Sequence, residues 1–172
     1  MGAPIPVQDF RAAMARFPGA VTLITARAGA ERRGLTATAV CSVTADPPSL
    51  LVCLNRQTGT CAAIQDSGRF AVNLLADPSA PLALRFAGAG GVSGPEKFAL
   101  GDWAEDAAGL PILREAAVSL SCAVSEALVA GSHRIFIGQI EAVRFGDGAA
   151  LVYEQARFHR LHPLVAEGAT PR

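Results

Sequence analysis

Apolar residues between Gln8 and Phe17 recur at helical spacing, with Phe10, Ala13, Met14 and Phe17 on one face, and Pro18-Gly19 ends the pattern. A short amphipathic helix is expected there, capping one end of a barrel. From Ala20 the texture changes to short β-branched runs, Val21 to Thr25, Leu35 to Val43 and Leu50 to Leu54, which predict three successive strands. Asp46-Pro47-Pro48 separates the second from the third, and its two prolines make a rigid turn. Cys61 to Gln65 reads as a short helix ended near Gly68, Phe70 to Leu75 as a strand, and Pro81 to Ala87 as another brief helix. Val118 to Val129, Arg134 to Phe145 and Ala150 to Tyr153 predict further strands, with turns at Gly131 and Gly146-Asp147-Gly148. Four glycines between Gly88 and Gly94 predict a mobile surface loop able to act as a lid, and Pro163 to Arg172 a loose tail.

Short strands in series, a few small helices and no βαβ alternation imply a mainly β fold, an antiparallel sheet closed into a barrel. A Rossmann domain is disfavoured, and no fixed-period repeat points to a solenoid or propeller. The 172 residues fit a single domain, 1–172, with a core of 8–162.

Composition narrows the function. Hydrophobic residues make up 51% of the chain and charged residues only 17%, so disorder is disfavoured and a homo-oligomer is the economical way to cover apolar surface. The 15 basic side chains balance 15 acidic ones and are scattered, unlike the footprint of a nucleic-acid binder. No apolar run reaches the 18 or so residues that span a bilayer, and no basic-then-apolar leader opens the chain, so no membrane and a cytoplasmic location are expected. Cys41, Cys53, Cys61 and Cys122 have neither CxxC spacing nor a disulfide-framework density, and are expected as free thiols acting as small buried hydrophobes.

Several chemistries fail on the residues. Gly88-Ala89-Gly90-Gly91-Val92-Ser93 begins like a dinucleotide fingerprint but has Ser93 at the third glycine position. Gly91-Val92-Ser93-Gly94-Pro95 misses the nucleophile elbow at Pro95. His159 and His162 lie three apart with no completing carboxylate or thiol, so no metal is expected.

What remains is Asn55-Arg56-Gln57-Thr58-Gly59-Thr60, an amide, a guanidinium and two hydroxyls between an apolar strand and a helix start. Free N–H groups and the positive dipole end favour an anion there, and Gly59 permits close approach. Ordinary helix capping by Thr58 or Thr60 accounts for the same residues, and local sequence does not separate the two. Upstream, Gly34 to Val43 combines small side chains with hydroxyls at Thr36, Thr38 and Ser42, leaving room for something flat, such as a flavin ring that needs an apolar slot and polar edge contacts. Half-exposed strand hydroxyls are the plainer account unless a phosphate site lies nearby.

These segments resemble the flavin reductase-like family with the FMN-binding split-barrel fold. The resemblance covers about residues 8–162. It rests on Phe10-Arg11, Phe17-Pro18-Gly19-Ala20-Val21, Gly34-Leu35-Thr36-Ala37-Thr38-Ala39, Ser42-Val43-Thr44, Pro47-Pro48, Leu54-Asn55-Arg56 with Thr58 and Thr60, Phe70 to Leu75, Gly131-Ser132-His133 and Gly138-Gln139-Ile140. It implies an antiparallel split β-barrel and an NAD(P)H-dependent flavin reductase that supplies reduced flavin to a partner monooxygenase. Thr36, Ala37, Thr38, Ala39, Ser42 and Val43 would flank the ring and ribityl chain. Leu54, Asn55, Arg56, Thr58 and Thr60 would hold the phosphate, and His133 would orient NADH or NADPH over the flavin, with a simple turn histidine as the plainer account. FMN is the implied flavin, FAD the alternative, and a homodimer the implied assembly. Ser132 stands where many relatives carry Asp, and the Gly88–Gly94 loop is unusually rich in glycine. Phe98 and Trp103 beyond it either cover the flavin or pack in the core. Two rival readings stay open: an FMN-bound reductase of another acceptor, such as a corrinoid or quinone, and a non-catalytic flavin-binding protein.

Overall fold

Thr22 to Ala26 are buried on both sides of their strand, because the chain builds two apolar layers and this strand runs between them. The computed structural model describes residues 3–164. The elements run α1 (Val7–Met14), β1 (Gly19–Ala20), β2 (Thr22–Ala28), β3 (Glu31–Ala37), β4 (Val40–Ala45), β5 (Pro48–Asn55), α2 (Gly59–Ser67) and β6 (Arg69–Leu74). They continue with α3 (Ala80–Phe86), β7 (Trp103–Glu105), β8 (Pro111–Leu113), β9 (Val118–Ala130), β10 (His133–Phe145), β11 (Leu151–Glu154) and β12 (Arg157–Arg160).

Seven strands form one antiparallel sheet in the order β3-β2-β6-β9-β10-β5-β4. Its two outer strands, β3 and β4, are joined by Thr38 and Ala39 alone, so the sheet has to curl until its edges meet at that corner. The result is an antiparallel split barrel. Alternation along β2 then sorts its side chains: Ile24 and Ala26 point into the barrel with Leu50, Val52, Leu54, Phe70 and Phe136. Val21 and Leu23 join the outer layer with Leu75, Phe86, Phe98 and Leu113. A three-stranded sheet, β1-β11-β12, and the β7-β8 pair complete the outer layer.

Three expectations are corrected. The N-terminal helix buries none of its residues; the barrel core is filled instead by α2, through Cys61, Ala63 and Ile64. Amphipathic spacing shows that α1 has an apolar face, not what that face meets. The predicted strand Leu35–Val43 breaks at Thr38-Ala39, where the chain changes sheet edge. Cys41 is exposed and Cys53 half-buried, so only Cys61 and Cys122 behave as buried hydrophobes. Of the two readings of Phe98 and Trp103, core packing is the one observed: the rings meet edge-on at 4.8 Å in the outer layer. Of the expected tail, residues 165–172 lie outside the described residues. No helix among the described residues is long and apolar enough to cross a membrane.

Candidate functional site

At the end of β5 the backbone turns sharply before α2, and local chemistry explains the turn. The Asn55 side-chain carbonyl accepts from Gln57 N at 2.9 Å, and Thr58 N donates to Asn55 O at 3.2 Å. Thr58 Oγ1 accepts from Cys61 N at 3.2 Å and donates to Asn55 O at 2.9 Å, so Thr58 is the N-cap of α2. With Cys61 N taken by this cap and Ala62 N by Thr58 O, the N–H groups of Gly59 and Thr60 at the helix start have no helical acceptor. Thr60 is itself buried at 4% exposure, and Leu54 at 2% is part of the barrel core, so neither side chain belongs to the surface here.

Strand register gathers the remaining segments at this end. β10 pairs with β5 so that His133 lies opposite Asn55. Arg56 N donates to Ser132 O at 3.0 Å and Arg56 Nη1 to Gly131 O at 3.4 Å, tying the two turns together. The turn is possible because Gly131 takes a left-handed φ of 57°. His133 is exposed, and a 2.9 Å hydrogen bond between its Nδ1 and Ser132 Oγ restrains the ring. On the other flank of β5, Val40 pairs with Val52, and Cys53 N donates to Ala39 O at 3.0 Å. His133 and Asn55 therefore stand side by side at one end of β10 and β5, with Ala39 two residues further along β5, beside Cys53.

β4 is the terminal strand of its sheet, so one row of its backbone N–H and C=O groups faces away from β5. Ser42 and Val43 are exposed on it, and Val43 sits in a bulge between the Ser42 and Thr44 pairs. Thr36, Ala37 and Thr38 line a separate groove of about 250 Å³, closed by Leu84, Tyr153 and Phe158. The Thr36 hydroxyl is committed to Ala83 O at 2.6 Å. The expected set is thus split between the groove at Thr36–Thr38 and the turn at Asn55–Thr58, with β4 running between them.

Three polar side chains were missed in the sequence. Arg33, on β3, runs alongside Gly59, where a Cβ would lie 3.7 Å from its Cδ. Arg134, on β10, is hydrogen-bonded to Gln65 of α2, and both face a cavity of about 490 Å³ shared with Arg56, Cys61 and Ser132. Each comes from a different element, so no local motif announces them. Burial pushes the Cys61 thiol up, against the opposing pull of Arg134 and Arg56, so Cys61 is no ready nucleophile. Cys122, deeper in the barrel, is pushed up to about 12 by burial and by the charge of Glu141. The arrangement concentrates cationic and N–H donors at a helix start beside an open strand edge. It suits a phosphate-bearing planar ligand and offers no buried acid–base pair.

Residues 14–162 match the model of the flavin reductase like domain. The chain is 42% identical over 163 residues to the FMN reductase (NADH) RutF of Variovorax paradoxus, covering 93% of this chain and 89% of that one. It is 41% identical over 157 residues to the 4-hydroxyphenylacetate 3-monooxygenase reductase component of Pseudomonas aeruginosa, covering 90% and 91%. Among solved structures, the NADH:FAD oxidoreductase SgcE6 of Streptomyces globisporus, in complex with NAD and FAD fragments, superposes with a TM-score of 0.85 at 26% identity. That match covers 96% of this chain and all of the other.

Proposed function

The chain belongs to the flavin reductase-like family, and on that premise we propose that it binds FMN across the ends of β4, β5 and β10. It reduces the flavin with NADH and releases it to a partner monooxygenase. The observation that carries this reading is the register that sets His133 opposite Asn55 and Ala39 beside Cys53, two residues along the same strand.

The donor set fits such a ligand. Arg56 and the N–H groups of Gly59 and Thr60 supply positive charge and hydrogen bonds for a phosphate, with Arg33 beside them held by Glu31. From Asn55 back to Leu50, which pairs with Ser42, β5 runs about 17 Å at ~3.3 Å per residue. A ribityl chain and ring system can lie along that length. The outward backbone of Thr38 to Val43 offers donors and acceptors for the edge of the ring, and small side chains at Ala39 and Ser42 let it approach. Bound flavin supplies the N5 atom that accepts a hydride from the nicotinamide. The protein supplies geometry: His133, steadied by Ser132, orients the nicotinamide at the exposed lip, and the phosphate grip holds the acceptor within attack distance of the donor. No proton-transfer residue is needed for the hydride itself.

The protein acts as a homodimer in this reading. Phe10 is 54% exposed, Met14 46% and Phe17 67%, an apolar face that a second copy would cover.

Anaerobic absorbance of the purified protein with FMN, then NADH, tests the reading. Rapid bleaching of the visible flavin band is expected. Flavin that binds but stays oxidised with NADH and NADPH alike would reduce the protein to a flavin carrier.

A further inference from the structure

The glycine-rich loop after α3 is tied at both ends and open between them. Lys97 Nζ donates to Phe86 O at 2.8 Å and to Gly34 O at 3.3 Å. Arg85 donates through Nε to Lys97 O at 3.1 Å and through Nη2 to Glu96 O at 2.6 Å. Between these ties Gly88 enters the loop at a φ of 94° and Gly94 leaves it at 54°, left-handed values that favour glycine. The N–H groups of Val92 and Ser93 make no backbone hydrogen bond among the described residues. A Cβ at Gly88, Gly90 or Gly91 would meet nothing within 4 Å, whereas one at Gly94 would lie 3.0 Å from Arg33 Nη1. Arg33 thus reaches from the end of this loop to Gly59, the first residue of α2. Glu31, two residues earlier on β3 and so on the same face, pairs with its guanidinium. The Glu31 side chain is 55% exposed, and such a pair is a weak tether that a more highly charged anion displaces.

We propose that Arg33 is a positioning residue with two partners, Glu31 while the α2 start is empty and the flavin phosphate once it is filled, and that the Gly88–Gly94 loop closes over the phosphate as Arg33 changes partner. Glu31 is then a competitor that holds the site open. The free N–H groups of Val92 and Ser93 are the donors that the closed loop brings to the anion. The inference rests on the reading that Arg56 and the α2 start hold the flavin phosphate, and it adds how that site opens and closes.

Fluorescence titration with FMN and with riboflavin, which lacks the phosphate, and amide hydrogen exchange of residues 88–94 test it on the wild-type protein, Glu31→Gln and Arg33→Gln. Glu31→Gln removes the competing carboxylate and is expected to bind FMN about threefold more tightly. Arg33→Gln is expected to bind FMN about tenfold more weakly. Riboflavin binding should be unchanged in both, which doubles as the check that the variants fold. In the wild-type protein FMN, but not riboflavin, should slow exchange across residues 88–94, and saturating FMN should fail to slow it in Arg33→Gln. Unchanged or weaker FMN binding by Glu31→Gln would overturn the proposal, as would exchange that FMN slows equally in the wild type and in Arg33→Gln. If FMN binds more tightly than riboflavin yet leaves wild-type exchange unaltered, the loop closure falls and the phosphate reading stands. If the wild-type protein binds FMN and riboflavin equally, the phosphate reading fails and the role of Arg33 falls with it.

Discussion

His133 owes its position to a two-residue turn and to the strand that follows, which delivers it opposite Asn55. A histidine after a glycine turn is ambiguous by itself, and here it gains meaning from the turn beside it. Replacing it tests that meaning: His133→Ala should raise the KM for NADH about tenfold, the scale of one or two lost contacts, while FMN affinity holds. Unchanged steady-state kinetics would leave His133 as a turn residue only. Leu54 and Asn55 illustrate the limit of reading adjacent residues together. They are neighbours in the motif, yet strand alternation sends Leu54 into the barrel and leaves Asn55 at the rim.

At the scale of elements, α2 is both the plug of the barrel and the floor of the site. Its N-cap is the link, because Thr58 orders the turn that carries Arg56. Thr58→Ala should cost about 1 kcal/mol of stability by urea unfolding and should also weaken FMN binding. Stability loss with full flavin affinity would confine Thr58 to capping. Gly34 marks another close fit, on the strand that leads to Thr36. A Cβ there would lie 2.6 Å from Phe86 Cε1, so Gly34→Val should lower stability by roughly 1–3 kcal/mol through overpacking. The β-branched runs and the turn prolines made most strands legible in the sequence. The break at Thr38-Ala39 was not, because nothing in those two residues forbids a continuous strand; only closure of the barrel requires one.

For the whole molecule, the apolar surplus in the composition reappears as a specific surface on and after α1. Phe10, Met14 and Phe17 are too exposed to contribute to this chain's own core. Light scattering should give a dimer at micromolar concentration, and Phe10→Asp together with Phe17→Asp should shift it towards monomer. A monomeric wild-type protein would remove the proposed assembly.

By itself the sequence determined the mainly β character, the Asn55–Thr58 turn and the mismatch of Gly88–Ser93 and Gly91–Pro95 to a dinucleotide fingerprint and a nucleophile elbow, since each depends on residues within a few positions of one another. Tertiary structure decided which helix fills the barrel, where the strand breaks, and that Arg33 and Arg134 stand beside a turn more than twenty residues from either. The reason is physical: propensity, capping and turn chemistry act locally, whereas sheet register and barrel closure bring remote strands together and set which charges share a cavity.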